Sequence, residues 1–219
     1  MRISPGKPAR GDELRDHRPA LPAKDLSAEE RLTRIRSGAL VLFAVNGYHR
    51  TTIDSIGERA GIRGPSVYKH VGSKQELLRN LMLGWMDLLL EAQRRASDSS
   101  DDVAVQLRRM VEAHVRLHCR HPHEAFVGGR EIDSLEEPHR AALLSKRRSY
   151  ESRVREVIER GNDLGSFRVA SPRVTSYAIL DMCTGVANWF RPDGEMTEDE
   201  IAYQYAENCL NMVQHHVDN

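Results

Sequence analysis

The chain is poor in cysteine and aromatics, and it has no excess of charge of either sign. Three cysteines (Cys119, Cys183 and Cys209) are scattered through 219 residues, and no CxxC pair occurs. An odd, widely spaced set of thiols argues against a disulfide framework and a zinc finger, and it suits a reducing cytoplasm. Lys and Arg number 32 and Asp and Glu number 32, for a formal net charge of zero. A chain so balanced is not a generic binder of polyanions. It holds no run of about 18 apolar residues, the length that a membrane-crossing helix needs. Met1 to Lys24 is rich in Arg, Pro and Asp and lacks the apolar core of a secretory leader. Also missing are a nucleophile elbow, an HExxH pair and a glycine-rich phosphate loop, so the familiar hydrolase and nucleotide-binding patterns do not apply.

What is present is helical patterning and one compact constellation, Thr51 to Leu78. Ile53, Ile56 and Ala60 form a short apolar stripe at helical spacing, with Thr51 or Thr52 placed to cap it and Gly61 to end it. A second short helix is expected from about Gly64 to His70. Pro65 sits in its first turn, Val67 and Val71 face inward, and Ser66, Tyr68, Lys69 and His70 are left outside. Two short helices at a tight turn, the second with a free polar face, make a helix-turn-helix able to enter a major groove. Between Ser27 and Leu78 the cations Arg31, Arg34, Arg36, Arg50, Arg59, Arg63, Lys69 and Lys74 outnumber the nearby carboxylates. That is a basic head on a neutral protein, which fits phosphate contact by one region.

Ala60-Gly61-Ile62, Val67-Tyr68-Lys69-His70-Val71 and Ser73-Lys74-Gln75-Glu76-Leu77-Leu78 resemble the DNA-binding signature of TetR-family transcriptional regulators. The likeness extends from Leu32 to Met82. Val71 stands where the family usually has an aromatic, and Arg63-Gly64-Pro65 is an unusual entry to the recognition helix. The resemblance implies an all-α protein with a small head and a helical body that dimerises and encloses a ligand. It places Thr51, Thr52, Tyr68 and Lys74 at phosphates. Arg63, Ser66, Lys69 and His70 go to base edges, with Gly64 and Pro65 shaping the entry. Arg63 is the candidate for guanine, because its planar fork donates to O6 and N7 together.

The remainder divides as a disordered tail over 1–26, the head over 27–73 and the body over 74–219. Ser27 and Glu30 form a capping box for a first helix running to about Asn46. Ser73 caps a long helix to about Arg95, whose stripe through Leu77, Leu81, Trp85 and Leu89 exceeds what a small head can bury. Further helices are expected over 103–119, 121–134 with a break at Gly128-Gly129, 136–163, 171–189 and 197–217. The last two are the dimer candidates. Ala178, Gly185 and Ala187 allow close approach there, and Leu210, Met212 and Val213 offer apolar surface.

Arg130-Glu131-Ile132, Arg147 to Glu151, Gly165-Ser166-Phe167 and Trp189 to Gly194 together resemble the bodies of regulators of lipid and steroid catabolism that respond to acyl-CoA thioesters. Arg116, Arg120, Arg130, Arg147 and Arg148 are candidates for the phosphates of coenzyme A. Trp85, Met110, Phe126, Met182 and Trp189 are candidates for its acyl slot, with His114 and Tyr150 among the lining residues. A xenobiotic effector, as in regulators of drug efflux, is the alternative. His114 and His118 lie at i, i+4 with Cys119, His121 and His123 behind them. A transition metal on that face, or a metal-dependent enzyme built on it, is the reading of a different class. No cofactor is expected, and the protein is read as a regulator and not an enzyme.

Overall fold

The computed structural model describes residues 26–214. Among them are nine α-helices, two short 3₁₀ turns and no strand. The helices are α1 (Ala28–Asn46), α2 (Ile53–Ala60), α3 (Gly64–Val67), α4 (Lys74–Ser97) and α5 (Val103–Arg120). They continue with α6 (Pro122–Arg130), α7 (His139–Asp163), α8 (Pro172–Thr184) and α9 (Glu198–Met212). The expected tail over 1–26 lies outside the described residues except for Leu26, which is packed at 8% exposure.

The helix starts follow the sequence signals closely. Ser27 and Glu30 form the capping box of α1, and Thr197 and Glu200 that of α9. Ser73 caps α4 and Ser171 caps α8 ahead of Pro172. Thr52, not Thr51, caps α2, and Gly61 ends α2 in a left-handed conformation. Some helix ends depart from expectation. The recognition helix α3 is regular only to Val67, with a turn to His70. Gly128 and Gly129 do not break α6, because the helix runs on to Arg130 before a 3₁₀ turn at Ile132–Ser134. α8 stops at Thr184, and a 3₁₀ turn at Gly185–Asn188 replaces its expected last turn.

Two apolar cores result. The first gathers Ile35, Phe43, Ile56 and Val67 of the head with Leu78, Met82 and Trp85 of α4, and continues into Val127, Leu143 and Tyr150 of the body. The second is formed by α5, α7, α8 and α9 around Leu107, Val115, Ile158, Ile179, Ala202 and Cys209. The head's core therefore passes into the body along α4 without a gap. Arg116 and Arg120, expected at the phosphates of a ligand, are engaged in ion pairs within the fold. Arg116 pairs with Asp199 and Glu112, and Arg120 pairs with Glu198, so both clamp α5 to α9. Leu210 and Val213, expected on a dimer surface, are buried in the second core.

The turn between α2 and α3 is closed by contact at Gly57. A Cβ there would stand 2.6 Å from the Ile62 carbonyl oxygen and 3.0 Å from the Gly64 nitrogen, both backbone atoms that cannot swing aside. Gly57→Ala is expected to destabilise the protein by about 1–3 kcal/mol and to displace α3. Chemical denaturation and operator binding, measured on the same variant, check it.

Candidate nucleic-acid interface and cavity

The head presents one polar face. Tyr68 is 57% exposed, and Arg63, Pro65 and Lys69 are exposed beside it, while Gly64, Ser66 and His70 are half-buried. Neither Arg63 nor Lys69 makes an ion pair with a described residue. α3 holds this face outward by sinking Val67 and Val71 into the core. His49, Thr52, Asp54, Pro65 and Tyr68 line a shallow cleft along it. His49 and Asp54 were not singled out in the sequence. Their place in the polar run His49-Arg50-Thr51-Thr52 and in the first turn of α2 was the available signal.

Two expected phosphate contacts, Thr51 and Lys74, also line this cleft but spend hydrogen bonds on the head itself. Thr51 is 1% exposed, and its hydroxyl donates to the carbonyl oxygens of Gly47 at 2.8 Å and Leu42 at 3.2 Å. Lys74 Nζ donates to the carbonyl oxygens of Tyr48 at 3.0 Å and Thr51 at 2.9 Å, and it lies 4.1 Å from the Tyr48 ring centroid. A backbone turn with unpaired carbonyls needs such donors, and an ammonium satisfies two at once. Both residues thus fix the α1–α2 turn against the start of α4. Thr52 keeps an exposed side chain, but its hydroxyl and its N–H are engaged with Ser55 in the α2 cap.

A cavity of about 360 Å³ lies between α4, α5, α6, α7 and α8. Its floor is buried and largely apolar: Trp85, Met86, Leu89, Ala125 and Gly128, with His114, His118 and Tyr150. Its rim is exposed and charged, with Arg147, Arg148 and Asp181 beside Tyr177 and Thr184. Gly128 is where it is because Trp85 is there. A Cβ would meet the indole Cδ1 at 2.9 Å. Of the expected ligand residues, Trp85, His114, Arg148 and Tyr150 line this cavity. Met110 lies instead in a narrow neighbouring void. Phe126 and Arg130 stack on each other at 4.0 Å outside it, Met182 packs on the second core, and Trp189 is 49% exposed beside Tyr205. Trp189 leaves the cavity because α8 ends early and the 3₁₀ turn swings it out.

The polar part of the floor is a connected set. His114 Nδ1 lies 2.8 Å from the Tyr150 hydroxyl, and Nε2 lies 3.3 Å from Thr184 Oγ1. His118 Nδ1 lies 2.9 Å from the His114 carbonyl oxygen, and the two imidazoles stack with centroids 3.9 Å apart. Burial holds His114 well below the usual imidazole range, helped by His118 next to it. Burial likewise lowers His118 to about 4 and raises Tyr150. All three are therefore neutral near pH 7. Three of the four ring nitrogens are engaged with these partners, and among the described residues no group of three His, Cys, Asp or Glu is placed to hold a metal.

The wall formed by α6 also touches the head. Glu131, just past α6, accepts the Tyr48 backbone N–H at 3.2 Å and the Ser134 hydroxyl at 2.6 Å. Gln75 Nε2 of α4 donates to the Ser134 carbonyl oxygen at 2.6 Å. One short segment thus joins a cavity wall to the turn that Lys74 secures.

Residues 35–81 match the family model for bacterial regulatory proteins of the tetR family, and residues 100–213 match that for the Tetracyclin repressor-like C-terminal domain. The HTH-type transcriptional repressor KstR2 of Rhodococcus jostii is 30% identical over 191 residues, covering 84% of this chain and 92% of that protein. A solved bacterial regulatory protein in the tetR family from Rhodococcus RHA1 superposes with a TM-score of 0.78 at 29% identity, covering 85% of this chain and 98% of that one. AibR in complex with isovaleryl coenzyme A and operator DNA shares the fold, with a TM-score of 0.75 at 23% identity over 85% of this chain and 100% of that one.

The buried imidazoles set a pH dependence. In the unfolded chain they bind protons below about 6.5, whereas His118 folded does so only near 4. Their contribution to stability is therefore complete above about pH 6.5 and is lost as pH falls toward 4. The melting temperature is expected to fall by about 5 °C from pH 7.5 to pH 5 on this account. His118→Phe should make that fall shallower, and a scan of both proteins across the range checks it.

Proposed function

The chain belongs to the TetR family of bacterial transcriptional regulators, and from that premise we propose that it is a homodimeric repressor released from DNA by an acyl-CoA thioester. The observation that carries the effector reading is the division of the cavity, an apolar floor beneath a rim bearing Arg147 and Arg148. An acyl chain fits the floor, and the phosphates of coenzyme A extend past the rim toward guanidinium groups that can donate in pairs. Arg148 makes no ion pair among the described residues, whereas Arg147 donates to the Gly128 carbonyl oxygen at 3.1 Å. AibR holds isovaleryl coenzyme A in the same fold. The resemblance to regulators of lipid and steroid catabolism supports the same class of effector. Acting on the genome, such a regulator works in the cytoplasm.

On DNA, Arg63, Ser66, Lys69 and His70 face the bases, and Tyr68 and Thr52 face the backbone. A two-fold dimer sets two recognition helices one turn apart, about 34 Å, on a palindrome. The exposed apolar side chains of α8 and α9 support the dimer: Val174 at 65%, Tyr177 at 44%, Tyr203 at 51% and Met212 at 37%. Effector in the cavity presses on α6, and the Glu131 and Ser134 contacts pass the displacement to the α1–α2 turn and the start of α4. By linkage the effector binds the DNA-bound dimer more weakly by the factor by which it weakens DNA binding.

One observation favours the xenobiotic alternative. Asp181 shares the rim and Glu151 lines the cavity, and carboxylates suit a cationic drug. Operator duplexes selected from random sequence separate the two. Release by an acyl-CoA thioester, but by neither its free acid nor coenzyme A, is the expected outcome. Release by cationic drugs alone overturns it. Val174→Glu is expected to give a monomer by analytical ultracentrifugation and to weaken operator binding by about a hundredfold or more, since each head then binds alone.

A further inference from the structure

The polar groups of the cavity, His114, His118 and Tyr150 on its floor and Thr184 at its rim, have more hydrogen-bonding capacity than the protein uses. Neutral His114 carries one ring N–H, and Tyr150 and Thr184 carry one O–H each. The contacts from His114 to Tyr150 at 2.8 Å and to Thr184 at 3.3 Å consume two of these three protons. With the proton on Nε2, Tyr150 donates to Nδ1, the ring donates to Thr184, and the Thr184 O–H is spare. With the proton on Nδ1, the order reverses and the Tyr150 O–H is spare. Either tautomer leaves one hydroxyl donor.

His118 supplies the opposite. Its Nδ1 faces a carbonyl oxygen, which only accepts, so Nδ1 holds the hydrogen and Nε2 is a bare lone pair. No described residue donates to that nitrogen, and it is not among the fully enclosed unpartnered atoms. The ring is stacked on His114, and all four side chains line one cavity, beside the apolar Trp85, Met86, Leu89 and Ala125 and with Glu151 further along the wall, where it is held by Ser176. A spare donor and a spare acceptor therefore stand together beside the apolar part of the cavity.

We propose that His114, His118, Tyr150 and Thr184 select an effector bearing a hydroxyl group on its buried portion. That oxygen accepts the spare proton of Tyr150 or Thr184, and its own hydrogen is donated to His118 Nε2. The inference rests on the cavity being the effector site. A ketone satisfies the donor alone. A plain hydrocarbon leaves both groups unpaired in a dehydrated site, the situation that gives strong discrimination against an analogue lacking the group. A carboxylate accepts the spare proton but finds no charge to pair with on the floor, because the imidazoles beside it are neutral.

Quenching of Trp85, whose ring is 5.2 Å from His118, reports binding directly and without DNA. The probes are octanoyl-CoA, its 3-oxo form and the hydroxyoctanoyl-CoA isomers with the hydroxyl at carbons 3 to 8. Octane, 2-octanone, 1-octanol and 2-octanol are titrated beside them. At least one hydroxylated thioester is expected to bind about tenfold more tightly than octanoyl-CoA, with the oxo form between them. In Tyr150→Phe/Thr184→Val that ratio should fall to about one. In His118→Leu the hydroxyl should lose its advantage over the ketone. Thioesters that all bind alike overturn the inference and leave the acyl-CoA reading standing. If no thioester binds but the octanols outbind octane, the acyl-CoA reading fails and the hydroxyl preference stands. If neither series shows the preference, the inference fails.

Discussion

A 24-residue helix with apolar side chains along its length has to be buried by something, and α4 is the constraint on which the rest depends. The head covers Leu77, Leu78 and Met82 at one end, while the body covers Trp85, Met86 and Leu89 further on. Because the stripe is continuous, the two parts share one core where they meet. At the few kcal/mol that a buried large side chain contributes, separating head from body is costly. The head therefore moves with α4 and not independently of it, and anything that tilts α4 or its start is felt at α3.

The charged residues sort into those that hold the fold and those left over for partners. Lys74 is spent on two carbonyls, Arg116 and Arg120 on the α5–α9 seam, and Lys146 on Asp87 of α4. Arg63 and Lys69 on the head and Arg148 at the rim have no ion-pair partner among the described residues. A chain with no net charge can in this way still present cations to an anionic partner.

The head was legible in the sequence because its signals are local. Thr52, Gly61, Pro65 and Ser73 each act on neighbours within a few residues, and the structure places each in the cap or turn that its chemistry favours. The cavity was less legible because its walls come from helices far apart in the chain. Trp85, His114 and Tyr150 were found through helical spacing and residue type. Thr184 and Leu180 carry no mark in the sequence and are gathered only by packing. Trp189 and Leu210 show the converse. An aromatic beside a helix end and a leucine on an outer-looking face gave the wrong side, because a 3₁₀ turn and the seating of α9 decide it.

The contact between Gly128 and the Trp85 ring makes the cavity unequal in its capacity to change over generations. On the α4–α6 side any substitution at 128 that adds a carbon collides with the indole, so that side stays fixed in shape. Leu144 on α7 and Leu180 on α8 are half-buried, and Tyr177 on α8 is exposed. Leu144 and Tyr177 can be exchanged at less expense to the core than Leu180, which packs against both cores. Lineages that acquire new effectors are thus expected to differ mainly along that second side, keeping the tryptophan–glycine pair as the fixed point against which new ligands are measured.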